Sequence, residues 1–515
     1  MPYVIDLFCG AGGFSEGIIQ AGFDIVFSSD KSSEVMTTYK NRHQQLGLIE
    51  GENTHFELAD IRQLTGDNIF KEINKLKKYK NMSFERGDID VTFGGPPCQG
   101  FSRAGKRDSS DPRNMLFHEY LRIIHDVYPK YVVMENVEGF MDMQMLDFPS
   151  VLSKNKIYEG QRLAKDILET ELKGLGYNML EPKLLNASDY GVPQNRKRAV
   201  FLAWRDGMKE PEYPTKINQK VTVKEALSGI MNNYRSEYAR QSKFGRTPNT
   251  IGNYISATRI NNQELSTHTK SVIQRFSIYN QGESTRMASE RLKQTGLDLL
   301  NDYPELFFET LFNVNKSSNM LIIEDILQEL EISLENSKKE RWLGDTNKVL
   351  SILFMAKPKE EIYHIYFSKL KNRINSSEET TQKFLNLCHS RLNRKISLSQ
   401  LSNACISGSG LTDDILEALF TKKNSRKRLD SLGQAPTMVT LPDDFIHPFE
   451  NRILTVREMA RLQSFDDSFE FLGKRTTGGD KRKQEVPQYT QVGNAVPPLM
   501  ANAIANSIMD SLNNN

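Results

Sequence analysis

Through the first 205 residues, short apolar runs rich in β-formers alternate with stretches of helical spacing. The run YVIDLF, Tyr3 to Phe8, has the pattern of a buried strand; a turn with Gly10, Gly12 and Gly13 follows, and FSEGIIQAG then opens a helix. FDIVFSSD reads as a second strand ending at Asp30, DVTFGG as a third and KYVVMENV as a fourth, the last reached through the helical MLFHEYLRIIHDVYP. Strand and helix in alternation predict a mostly parallel α/β sheet covered on both faces. In such folds ligands gather beyond the carboxyl ends of the strands. The glycine turn, Asp30, Cys98 and Glu135 each fall at the end of a predicted strand, so one crevice could collect them all.

From about Arg205 to Leu432 the texture changes to charged, helical sequence. In LIIEDILQELEISL the apolar positions Ile322, Ile323, Ile326, Leu327, Leu330 and Leu334 keep helical spacing, and VLSILFMAKPKEEIYHIYFSKL repeats the pattern across a break at Pro358. Such stripes are core packing, and SGSG from Ser407 reads as a hinge or turn. The end of the chain, with NRILTVREMARLQSF and QVGNAVPPLMANAIANSIMDSL, returns to α/β texture. The expected organisation is a first catalytic part over 1–205, a middle domain over 206–434 with a helical insertion, and a C-terminal part over 435–515 that completes the first.

Composition narrows the class. A chain of 515 residues exceeds one ordinary domain, and its 38% hydrophobic content supplies a sizeable core. A net charge of +2 means that any nucleic-acid surface must arise from local clustering. Four cysteines, none spaced as C-x-x-C, build neither a disulfide framework nor a structural zinc site, so no metal is expected. With no apolar run of membrane-spanning length and no signal-like leader, the sequence reads as intracellular, with no membrane partner.

The candidate chemistry sits at the strand ends. A glycine turn between strand and helix lets backbone approach a ligand, and an acid some way on, here Asp30, can hold a ribose hydroxyl pair. DLFCGAGGFSEG departs from strict G-x-G-x-x-G, so a dinucleotide is not favoured, and a tight structural turn explains the pattern as readily. Asp60 and Ile61 in ADI could lie by an adenine ring or form a surface turn. In GGPPCQGFS, Cys98 follows the rigid Pro96 and Pro97 and precedes the polar, glycine-containing stretch from Gln99 to Asn114, which could close as a lid. Buried cysteines are commonly inert, but a thiolate at a strand end is a good nucleophile toward an electron-poor carbon. Glu135 in ENV offers an acid able to protonate a ring nitrogen, or a solvated glutamate. Arg196 and Arg198 alternate on a strand-like run, which turns both to one face, toward an anion or base or toward solvent. KKNSRKR, Lys422 to Arg428, and KRTTGGDKRK, Lys474 to Lys483, are phosphate-contact candidates or solvated charge runs.

Six stretches, DLFCGAGGFSEG, GGPPCQGFS, MENVEGF, GVPQNRKRAVF, RILTVREMARLQSF and QVGNAVPP, occur in the order used by the DNA cytosine-5 methyltransferases of bacterial type II restriction–modification systems, and the chain closely resembles that family over about 1–205 and 435–515. The resemblance implies a Rossmann-like S-adenosylmethionine-dependent catalytic domain with a variable, partly helical target-recognition domain. It implies that Phe8, Gly10, Ala11, Gly12, Asp30, Lys31, Asp60, Ile61, Gly95, Pro97 and Asn494 bind the cofactor. Lys31 stands where many relatives carry a large hydrophobic residue against the adenine. Cys98 matches the nucleophile, which adds to cytosine carbon 6, and Glu135 the acid at nitrogen 3; Arg198, with Arg196 beside it, helps hold the base. The base must leave the duplex, and Ser102 and Arg113 are then expected at the displaced DNA backbone, with Lys422, Lys423, Arg426, Lys427 and Arg428 at phosphates. Double-stranded DNA is the implied partner, with a functional link to a restriction endonuclease, a monomeric state and a cytoplasmic, nucleoid-associated location. An RNA-directed relative acting on transfer RNA generally has a shorter middle region, and an inactive DNA-binding homologue would not need Cys98 and Glu135 intact.

Overall fold

The computed structural model describes the chain apart from residues 98–114, 154–156, 231–234, 334–338, 478–483 and 515. It divides into two compact units: Met1–Leu265 with Ser431–Pro442 and Leu454–Asn515, and Ser266–Asp430 with Asp443–Ile453.

The first unit is built on β1 (Tyr3–Leu7), α1 (Gly13–Gln20), β2 (Asp24–Asp30), α2 (Ser33–Gln45), β3 (His55–Leu58), α3 (Gly66–Ile73), β4 (Val91–Gly94), α4 (Met115–Val127) and β5 (Tyr131–Val137). A hairpin of β6 (Gln144–Pro149) and β7 (Ile157–Leu163) follows, then α5 (Ala164–Gly174), β8 (Tyr177–Met179), β9 (Lys183–Asn186), β10 (Gln194–Asn195) and β11 (Lys197–Arg205). The sheet runs β3-β2-β1-β4-β5-β11-β8, with β9 also on β11. The first five strands are parallel, whereas β11 is antiparallel to β5, β8 and β9. Chain order reverses between β1 and β4, where Leu7 pairs with Gly94, and this is the switch point at which an open α/β sheet forms its crevice.

Strand alternation divides the apolar residues between two cores. Val4, Ile25, Phe93, Val133 and Leu202 meet α1 and the helix Pro498–Asn513, while Leu7, Phe27, Met134 and Phe201 meet α3, α4 and α5. A register shift opposite Val4 and Ile5 leaves Val26 as an extra residue of β2, and Val26 and Phe27 accordingly fall in the same core. The C-terminal helix lies against α1 so closely that a Cβ on Gly17 would fall 2.3 Å from the Asn502 nitrogen. That contact joins the two ends of the chain in one unit.

The boundary of the first unit differs from the expected 205/206. The stretch 206–265 belongs to it because buried polar groups of the C-terminal part hold it: Arg461 donates to the carbonyls of Ala226 and Ser228, Tyr238 donates to the Arg461 carbonyl, and Arg246 pairs with Asp466 at 2.8 Å. The second unit is largely helical and has two cores of its own, one around Phe307, Leu311 and Leu416, the other around Ile326, Leu350 and Phe384. Its helices Lys339–Met355 and Glu361–Ile374 flank the break expected at Pro358. Among the described residues no helix is long and apolar enough to cross a membrane, and no group of three or more His, Cys, Asp or Glu could hold a metal ion.

Candidate active site

The strand ends bring the glycine turn, Asp30 and Glu135 to one edge of the sheet. After β1 the chain turns through Phe8, Gly10 and Gly12 with φ of 55°, 54° and 98°, a left-handed run that needs glycine at two positions and strains the Phe8 backbone. Asp30, at the end of β2, holds this turn: its carboxylate accepts from the Gly10 amide at 3.1 Å and from the Ser32 amide at 2.9 Å. A Cβ built on Gly10 meets nothing within 4 Å, so the turn faces open space. An open, glycine-lined cradle with a fixed carboxylate at its rim fits a ribosyl cofactor. Burial raises the Asp30 carboxyl above the usual range, against the two amides and the Lys31 charge. Lys31 itself is exposed, and Ala11 is buried.

Asp60 caps a short 3-10 turn at Ile61–Gln63 after β3, where Ile61 is buried. Its carboxylate is engaged bidentately by Arg62, at 2.9 and 2.6 Å, and these hydrogen bonds bring it down to about 2. Asp60 is thus ionised and an acceptor only. Nothing in the sequence marked Arg62 as its partner beyond the two-residue spacing.

Beneath the glycine turn lies a polar network absent from the sequence expectations. Ser15 of α1 donates to Asp6 of β1 at 2.5 Å, its oxygen lies 3.2 Å from the Tyr39 hydroxyl, and Tyr39 meets Ser28 at 2.6 Å. Burial pushes the Asp6 carboxyl up to about 7, with Asp30 adding to the effect and Ser15 opposing it. The available signal was a single acid inside an apolar strand, YVIDLF. Burial, with the carboxylates of Asp6 and Asp30, raises the Cys9 thiol well above its ordinary range, which makes it inert as a nucleophile. Cys9, Cys388 and Cys405 are free and buried.

Across the switch point, β4 ends at Gly94 and leads through Gly95, Pro96 and Pro97 toward Cys98. Cys98, Ser102 and Arg113 lie outside the described residues. Glu135 stands near the end of β5, and Asn136 beside it donates to the Pro96 carbonyl at 3.2 Å, tying the two strand ends together. A Cβ on Gly95 would sit 3.2 Å from Glu135 Oε2, so glycine leaves room for the carboxylate there. Arg198 approaches from the antiparallel β11, with Nε 2.5 Å from Glu135 Oε1. The register explains the pairing: Val200 lies opposite Glu135, and Arg198 is its diagonal neighbour two residues along. The atoms are close enough for an ion pair but poorly aligned for a hydrogen bond, and among the described residues Oε1 has no hydrogen-bond partner.

Arg196 does not join Arg198 on one face. It lies between β10 and β11, is 1% exposed, and donates to the carbonyls of Met438 at 3.0 Å and Gly493 at 3.0 Å. Because β10 and β11 are interrupted at this position, strand alternation does not carry across it. Arg196 therefore fixes the C-terminal end of the helix Gln488–Asn494 instead of facing the crevice, and Asn494 itself is exposed. Gln491 extends that anchorage by accepting from Thr38 of α2 at 2.7 Å.

The basic run in the second unit also departs from expectation. Arg426 and Arg428 are buried; Arg426 donates to the Asp443 carbonyl, and Arg428 to the carbonyls of His447 and Phe276. Two guanidiniums that hold main chain inside the unit are not available to phosphate. Lys422 pairs with Glu417 at 3.3 Å, Lys423 with Asp443 at 3.3 Å, and Lys427 lies on a two-residue strand, partly buried. Of the second run, Lys474 pairs with Glu485 at 2.9 Å, and 478–483 fall outside the described residues.

Comparison with known proteins gives the family. The family model for C-5 cytosine-specific DNA methylases matches residues 3–306 and, in a second segment, 299–510. The chain belongs to the C-5 cytosine-specific DNA methylase family. It is 26% identical to the type II methyltransferase M.DdeI of Desulfomicrobium norvegicum, over 98% of this chain and 88% of that one. With M.AgeI of Thalassovita gelatinovora it shares 26% identity over 98% of both chains. A prophage-encoded E. coli protein solved as a DNA modification methyltransferase shares the fold, with a TM-score of 0.54, 20% identity and full coverage of both chains. As a C-5 cytosine methylase, the enzyme methylates DNA cytosine. The antiparallel β11 carries Arg198 to Glu135.

Proposed function

We propose that this enzyme transfers a methyl group from S-adenosylmethionine to carbon 5 of a flipped cytosine at one short duplex sequence, as the modification partner of a restriction endonuclease. The observation that carries the reading is the Glu135–Arg198 pair, set against Gly95 and tied to the Pro96 carbonyl, at the same sheet edge as the open glycine turn. The two full-length relatives named above, both type II methyltransferases, support the restriction–modification role.

Carbon 5 of cytosine is a weak nucleophile. Addition of the Cys98 thiolate to carbon 6, with Glu135 supplying a proton to nitrogen 3, converts the ring to an enamine whose carbon 5 is electron-rich. When bound, S-adenosylmethionine supplies an electrophilic methyl on a sulfonium. Carbon 5 forms its bond to that methyl as the sulfonium carbon–sulfur bond breaks; loss of the carbon-5 proton to a water base then expels the thiolate, and the nitrogen-3 proton returns to Glu135, which restores the ring. Arg198 orients Glu135 and helps hold the base; Phe8, Gly10, Ala11, Gly12, Asp30, Lys31, Asp60, Ile61, Gly95, Pro97 and Asn494 would hold the cofactor, with Asp30 on the ribose. Ser102 and Arg113 would meet the displaced strand. Target recognition falls to the middle of the chain, where Lys422, Lys423 and Lys427 remain phosphate candidates, and the enzyme would act as a monomer in the cytoplasm.

The test is transfer of labelled methyl to duplex DNA of diverse sequence, with transfer RNA in parallel and a 5-fluorocytosine duplex as a trap. Methylation of one short DNA motif with a covalent adduct is expected, and Cys98→Ala should abolish both while the protein still binds DNA. Label on transfer RNA alone would redirect the assignment, and substantial turnover by Cys98→Ala would remove Cys98 from the chemistry.

A further inference from the structure

One buried acid beneath the glycine turn has no part in the reaction just described. Asp6 is 1% exposed, and its polar side-chain partner among the described residues is the Ser15 hydroxyl at 2.5 Å. The titratable groups that face it are Asp30 from β2, Cys9 from the glycine turn, Tyr39 from α2 and Tyr120 from α4, all of them acids. Among the described residues no lysine or arginine pairs with it. A buried carboxylate without a counter-ion is costly, and the cost is relieved either by a proton or by a cation that arrives from outside. With its carboxyl pushed up to about 7, Asp6 exchanges its proton near neutrality.

Asp6 lies beneath the turn assigned to the cofactor. S-adenosylmethionine and its product S-adenosylhomocysteine share the adenosine and the amino acid; they differ by one methyl and one positive charge. Any group that senses charge rather than shape therefore acts on their difference, and in a low-dielectric site it does so without touching the sulfur.

We propose that Asp6 is the residue by which the pocket distinguishes the cationic cofactor from its neutral product, becoming negative when the cation binds and neutral again when the product is left. The inference rests on the S-adenosylmethionine reading above. The step is a proton transfer alone: the Asp6 carboxyl gives its proton to solvent as the sulfonium enters, and recovers one from solvent after the charge has gone with the methyl.

The experiment is calorimetric titration of the full-length enzyme with S-adenosylmethionine and with S-adenosylhomocysteine, in two buffers of different protonation heat, from pH 6 to pH 8. Near pH 7 the cofactor should release a fraction of a proton that the product does not. Its affinity relative to the product should rise with pH, because at high pH the attracting charge is already present. Asp6→Asn should abolish the cofactor-specific proton and lower the preference for cofactor by about tenfold. Ser15→Ala, which removes the hydrogen bond that favours the ionised acid, should enlarge the proton release at pH 7, and it provides a second variant should Asp6→Asn fold poorly. Equal proton counts for the two ligands in the wild type overturn the proposal. So does a cofactor-specific proton that survives in Asp6→Asn, which would belong to Asp30. If neither ligand binds, the cofactor reading itself fails, and that result is distinct from both of these.

Discussion

Glu135 and Arg198 meet at 2.5 Å with side chains only about a tenth exposed, so removing either charge leaves the other in a poorly solvated place. Glu135→Gln keeps the shape but cannot supply the proton; methyl transfer in a single turnover should slow by about 10²- to 10⁴-fold while the protein stays folded, as a melting curve would verify. An unchanged rate would reduce Glu135 to a partner for Arg198. Asp6 supports a different experiment, on stability. Its folded value, about 7, lies above the ordinary 3.8, so the folded chain binds more protons between these limits. Its contribution to stability therefore falls as pH rises from about 4 to about 7 and is level beyond, by at most about 4 kcal/mol. Asp6→Asn should melt higher than the wild type at pH 8 and lose that advantage toward pH 4. A gap independent of pH would mean that Asp6 does not titrate in this range.

At the scale of elements, the site depends on connections that sequence periodicity does not carry. The parallel strands were legible because each is an apolar run followed by a turn: Tyr3–Leu7, Asp24–Asp30, Val91–Gly94 and Tyr131–Val137 lie within one residue of expectation at each end. Strand β3 was not, since HFEL is short and half polar, and neither was the antiparallel sense of β11, which is set by its pairing with β5 rather than by its composition. Arg196 and Arg198 show the same limit at the site. Two residues apart, they read as one face, yet a break between two strands turns Arg196 inward to carbonyls more than two hundred residues away in sequence. Likewise, charge runs resemble solvated faces, and only tertiary packing shows that Arg426 and Arg428 are internal ties. Arg196→Ala would leave the Met438 and Gly493 carbonyls without these donors and open a void behind the helix that ends at Asn494. Urea unfolding should register a loss of about 2–4 kcal/mol, and cofactor affinity should weaken more than in Glu135→Gln. A variant with native stability and native affinity would show that this helix is held by Gln491 and its neighbours alone.

On the scale of the whole molecule, two units with separate hydrophobic cores should respond separately to damage. The helical core of the second unit gathers Ile326, Leu350 and Phe384, none of which belongs to the cores that flank the sheet. The glycine turn, Asp30, Glu135 and Arg198 all belong to the first unit, so on the proposed assignment cofactor binding would draw on none of the helical core. Phe384→Ala deletes a fully buried ring and should cost the second unit about 3–5 kcal/mol. Hydrogen exchange measured along the chain should then quicken within 266–430 and stay slow in the strands of the sheet, because sub-global opening follows the cooperative unit that lost its packing. S-adenosylmethionine affinity should be unchanged, while methylation at the target sequence declines if recognition resides in the middle of the chain. The reciprocal variant Met500→Ala, in the core between α1 and the C-terminal helix, should quicken exchange in the sheet and weaken cofactor binding. Uniform acceleration along the entire chain in either variant would mean that the two units unfold as one, and the division of labour between them would have to be abandoned.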